Sequence, residues 1–132
     1  MTQKPIDILT ERLHEVSHLG STIALLHWDQ DVNMPTKGAD ARASAIAYLS
    51  AIVHNKFIAI DEDGLLTKLK KVLDNQPTLK LRRGKEKLSS NDAVIVAETW
   101  HSYEREKKLP EAFVKELAEV SSKSQTVWAE AR

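Results

Sequence analysis

The sequence predicts an all-α protein, and three observations carry that prediction. Only four Gly and four Pro interrupt 132 residues. No run alternates apolar and polar residues with period two over a useful length. Apolar side chains instead recur at spacings of three, four and seven, the spacing of one face of a helix. The 42% apolar content is enough for one core, and 29% charged residues suit a solvated surface. At 14.8 kDa the expectation is a single helical region over residues 1–132, with about five helices arranged as antiparallel hairpins.

The first helix is expected near 5–28, opened by Pro5, with Ile6, Leu9, Leu13, Val16, Ile23 and Leu26 on one stripe. A second, alanine-rich helix follows the turn MPTKG near 39–57, with Ala45, Leu49 and Ile52 on one face. The third is short, near 63–73, with Asp61, Glu62 and Asp63 at its start and Lys68, Lys70 and Lys71 toward its end. That polarity complements the helix dipole. Residues 74–88, DNQPTLKLRRGKEKL, break the periodicity and read as a loop. Ser89 and Asp92 resemble a capping box opening a fourth helix near 89–108. Pro110 opens a fifth near 110–132, where Phe113, Leu117, Val120, Val127 and Ala131 keep a seven-residue rhythm. The short Leu109-Pro110 joint predicts that the last two helices pack antiparallel. The fifth helix is still periodic at Arg132 with no stop signal, which suggests the front part of a longer protein.

Charge and composition exclude several functions. Nineteen Lys/Arg balance nineteen Asp/Glu, so the long-range field of a dedicated nucleic-acid binder is missing. The balance is uneven, at −4 for residues 1–66 and +4 for 67–132. No signal peptide or membrane span is expected. The absence of cysteine removes disulfides and thiolate metal sites and fits a cytoplasmic protein.

One metal motif must be weighed. His14-Glu15-Val16-Ser17-His18 reads H-E-x-x-H, which on a helix puts two imidazoles one turn apart to share Zn²⁺, with Glu15 to activate its water. Chance gives such a match in on the order of 1–2% of sequences of this composition. His14 and His18 point away from the apolar stripe, beside Glu11 and Glu15. Ser21 and Ala24 stand where the extended motif needs Gly and a third His. A solvated His/Glu face is the favoured reading, so no catalytic or metal residue is assigned. The basic run at 80–87 could hold phosphate or RNA, but it lacks interleaved aromatics and reads as a solvated loop. Trp28, Trp100 and Trp128 are expected to anchor helix contacts, and His54 and His101 to be packing residues.

A block of specific residues goes beyond generic helix. Leu25-Leu26-His27-Trp28-Asp29-Gln30 is followed by Met34-Pro35, Gly38-Ala39 and Arg42, then Leu49 and His54. Tyr103-Glu104-Arg105, Leu109-Pro110, Ser124-Gln125 and Trp128-x-Glu130-Ala131-Arg132 continue it. In order and spacing this resembles the N-terminal region of the thermostable metallocarboxypeptidases, the carboxypeptidase Taq family. Asn55, where relatives often carry Glu, and the basic run at 80–87 depart from the pattern.

The resemblance implies an all-helical, homodimeric enzyme that removes C-terminal amino acids from peptides with a divalent metal, zinc or cobalt. Its metal-binding H-E-x-x-H helix would lie beyond Arg132, so none of its catalytic, metal or carboxylate-binding residues transfers to a position here. This region would form a wall or lid of the substrate groove, inactive alone. Trp28-Asp29-Gln30 would end the first helix, and an ion pair from Asp29 or Arg42 would fix the turn. The alternatives are a free-standing helical interaction or dimerisation module, and a minimal zinc hydrolase using His14, Glu15 and His18. RNA binding through the basic run ranks last.

Overall fold

A computed structural model describes residues 3–76 and 88–132. The basic run at 80–87 therefore lies outside the described residues. Five α-helices are present, α1 Pro5–Val32, α2 Ala39–Ile58, α3 Leu65–Asp74, α4 Ser90–Glu106 and α5 Glu111–Glu130, with no strand among the described residues. The fold is all-α.

Local chemistry sets the helix ends. Pro5 occupies the first turn of α1, where its missing N–H costs nothing. The helix runs through Trp28-Asp29-Gln30 to Val32, one turn further than the sequence suggested. It stops where the N–H groups of Asn33 and Met34 both bond the Asp29 carbonyl, and Pro35 forbids continuation. Gly64, at φ 71°, makes the left-handed turn into α3. Beside it, Asp63 accepts from the Leu65 N–H, and Asp61 accepts from both the N–H and hydroxyl of Thr67. At α4, Ser89 and Asp92 form the reciprocal capping box. Pro110 is the N-cap of α5, one position before the helix proper.

Three antiparallel contacts organise the chain. α1 packs along α2, α3 pairs with α4, and α5 lies along α2. The last contact differs from the sequence expectation, since the Leu109-Pro110 joint swings α5 onto α2 and away from α4. The reason lies in the side chains: Ala43, Ala47 and Ala51 on α2 are small and buried, and so is Ser122 on α5. Small residues let the two backbones approach closely. The buried face of α2 is thus Ala43, Ile46, Ala47, Ala51 and His54, whereas Ala45 and Ile52 face outward.

The large apolar side chains gather at the other end. Leu9 of α1, Ile60, Leu65, Leu66 and Leu69 around α3, and Val96 of α4 form the core. Leu13, Val16, Phe57, Trp100 and Tyr103 pack around it. Trp100 therefore anchors a helix contact, but Trp28 and Trp128 are 57% and 61% exposed. The segment Thr36–Asp61, which contains α2, is long and apolar enough by length and composition to cross a membrane, contrary to the sequence expectation. Its alanines and isoleucines produce that apolarity, and Ala43, Ile46, Ala47 and Ala51 among them are buried.

Candidate functional site

The H-E-x-x-H helix was the first candidate. His14 and His18 sit one turn apart on the exposed side of α1. Glu15 is committed elsewhere, because its carboxylate holds the Lys56 ammonium at 2.5 Å. That hydrogen bond keeps the Glu15 carboxyl below its usual value, so it is a poor proton acceptor. No group of three His, Asp or Glu side chains converges for a metal among the described residues. The residues present do not fit a catalytic zinc centre, which needs three ligands facing a cleft.

A neighbouring open depression of about 430 Å³ is lined by Arg12, Glu15, Lys56, Glu62 and Asp63. Four of these five charges are matched in pairs, Arg12 with Asp63 and Lys56 with Glu15. Arg12 grips Asp63 through two hydrogen bonds of 3.0 and 2.7 Å and also donates to the Ile60 carbonyl at 2.7 Å. The guanidinium holds the Asp63 carboxyl down to about 2. This is a clamp between α1 and the turn before α3, in which Arg12 and Asp63 satisfy each other.

The signature block forms a second constellation, at the junction of α1, α2 and α5. Arg42 donates to the Leu26 carbonyl at 2.7 Å and to Asp29 Oδ2 at 2.6 Å, so one guanidinium ties the last turns of α1 to the first turn of α2. The pair is partly buried, with 19% of the Arg42 side chain and 36% of Asp29 exposed. Gln30 and Ser122 bond reciprocally: the Gln30 amide donates to the Ser122 carbonyl at 2.9 Å, and the Ser122 hydroxyl donates to Gln30 Oε1 at 2.8 Å. Gln125 donates to Asp31 at 2.7 Å one turn further on. A Cβ at Gly38 would meet Met34 Cγ at 3.3 Å, so a larger residue there would need the Met34 side chain to shift slightly. The ion pair was legible from Asp29 and Arg42. The Gln30–Ser122 pair was not, since nothing in the sequence relates positions so far apart.

His54 marks the third constellation. Its Nε2 lies 3.0 Å from the Leu109 carbonyl, which can only accept, so Nε2 carries the proton. Nδ1 is buried without a hydrogen-bond partner, 3.5 Å from Glu106 Oε2. Asn55 beside it donates to Glu111 at 2.9 Å, a bond a glutamate in that place could not give. Together they hold the α4–α5 joint against the end of α2. His101, by contrast, is exposed.

These geometries define a helical scaffold in which the described polar residues brace joints between helices. The relatives are peptidases. The family model described as Carboxypeptidase Taq (M32) metallopeptidase matches residues 8–132. Carboxypeptidase 1 of Bacillus subtilis (strain 168) is 32% identical over 120 residues, covering 91% of this chain and 22% of that protein. Thermostable carboxypeptidase 1 of Thermus thermophilus is 31% identical over 124 residues, covering 94% of this chain and 22% of that protein. No solved structure matches. The chain belongs to the carboxypeptidase Taq metallopeptidase family, and it spans about a fifth of the length of these relatives.

Proposed function

We propose that this chain is the N-terminal helical region of a metal-dependent carboxypeptidase, forming a wall or lid of the groove that receives a peptide's C-terminal end. The observation that carries the reading is the signature block: residues matching the family pattern, Asp29, Gln30 and Arg42, are the ones that lock α1, α2 and α5 together. Such a lock sets the position of a wall to within an ångström or so, the precision that substrate positioning requires. The divalent metal, zinc or cobalt, and the groups that act with it belong to the remainder of a family-length enzyme. That enzyme would act as a homodimer in the cytoplasm on peptide substrates. By itself this chain positions and excludes, and performs no bond cleavage.

The test is a chimera in which this chain replaces the matched stretch of the Bacillus subtilis relative. Release of C-terminal residues from a blocked peptide is expected within about tenfold of that relative's rate, since positioning losses of this size are modest. A folded, metal-loaded chimera that releases nothing would contradict the reading.

A further inference from the structure

α5 is amphipathic the wrong way round for a free-standing protein. Val114, Ala118, Ser122 and Thr126, one turn apart, form its inner side, and Ser122 is buried and hydrogen-bonded to Gln30 of α1. The large apolar side chains sit half a turn away. Phe113, Leu117, Val120 and Val127 are 48%, 54%, 56% and 64% exposed. At 100° per residue their mean direction is opposite to that of Ser122, and with Ser124 and Ala131 they make a straight seam about 27 Å long. The alternating spacing of four and three is that of a helix packed against another helix at a shallow crossing angle.

We propose that this seam is the surface on which helices from the catalytic portion of a family-length carboxypeptidase pack. The proposal rests on the reading above and adds the place of the interface. Two features identify the occupant. Lys123 beside the seam is already paired with Glu119 within the chain, and Glu116 is the other charge at that edge. The seam therefore offers mainly apolar surface to a partner. The second feature is a separate apolar stripe, Leu25, Trp28 and Val32, all more than half exposed, on the side of α1 opposite Gln30. Because Gln30 and Ser122 face each other, the two stripes point in opposite directions. A two-fold copy covers one self-complementary patch and leaves the other wet. The relatives are several times longer than the matched region, and a body of that size can take both.

The chain has no cysteine, so Leu117→Cys introduces a single probe, with Ser17→Cys on the outer side of α1 as the reference. In the isolated chain both should react with a maleimide at similar rates, and sedimentation equilibrium should give a monomer. In the Bacillus subtilis chimera, labelling read by mass spectrometry should be at least about tenfold slower at position 117 and unchanged at position 17. Equal rates in the folded chimera overturn the proposal. So does a dimer of the isolated chain that Leu117→Glu dissociates, which makes a second copy the occupant and needs no chimera to observe. A protected but inactive chimera keeps the interface and removes the proposed function; an active chimera that labels freely at position 117 does the reverse.

Discussion

The two ends of this molecule are held together by different means. Around α3, six large or medium apolar side chains from α1, α3, α4 and the turn at Ile60 are buried, the arrangement of an ordinary small core. At the junction of α1, α2 and α5 the buried groups are alanines, one isoleucine (Ile46), a serine and a hydrogen-bonded network, while the large apolar residues of α5 face out. The first end owes its stability to removal of apolar area from water. The second gains its geometry mainly from small-residue contact and directional bonds, and leaves the large apolar residues of α5 exposed.

The largest effect that would sharpen this contrast is Leu66→Ala. Leu66 is fully buried, so truncation should cost about 2–5 kcal/mol by chemical denaturation. Ala47→Leu probes the opposite failure. Ala47 is fully buried where α5 presses on α2, and overpacking there should cost about 1–3 kcal/mol; a neutral result would mean that the close approach is not what holds α5. Asp29→Ala leaves Arg42 with its Leu26 bond and no counter-charge. Since the pair is only partly buried, a loss of about 1–2 kcal/mol is expected, read as a lower melting temperature.

Smaller still is the Arg12–Asp63 clamp. The Asp63 carboxyl lies at about 2 against an ordinary 3.8. A depressed carboxyl adds stability that is complete above its unfolded value and is lost as pH falls through the folded one. Melting temperature should therefore drop as pH falls from about 4 to about 2, and Asp63→Asn should flatten that slope. Leu117→Ala should change the stability of the isolated chain by less than about 0.5 kcal/mol, as surface truncations do. A loss comparable to that of Leu66→Ala would erase the difference between the two ends.

Much of this was readable in the sequence because helical periodicity is a strong signal where side chains are large. The stripe of α1 from Ile6 to Leu26 is the side that faces the core and α2, and the Ser89–Asp92 capping box forms as its spacing required. Contrast fails where side chains are small. In the alanine-rich α2, Ala45, Leu49 and Ile52 looked like the inner face, yet Ile46 and Ala47, with alanines a turn away, are the buried ones. Periodicity also says which residues share a face and not which way that face points. Phe113 to Val127 share one, and it points outward. In the H-E-x-x-H motif the spacing puts both histidines one turn apart, while Glu15 is bound to Lys56 and both histidines stand in solvent.

The central claim is that this region braces and positions while the metal chemistry of its family resides elsewhere. The most direct measurement is a peptidase assay on the purified 132-residue chain with added zinc or cobalt. No release of C-terminal amino acids above the metal-only blank is predicted, and His14→Ala should change nothing. Release that disappears in His14→Ala or Glu15→Gln would contradict the account and restore the exposed face of α1 as an active site.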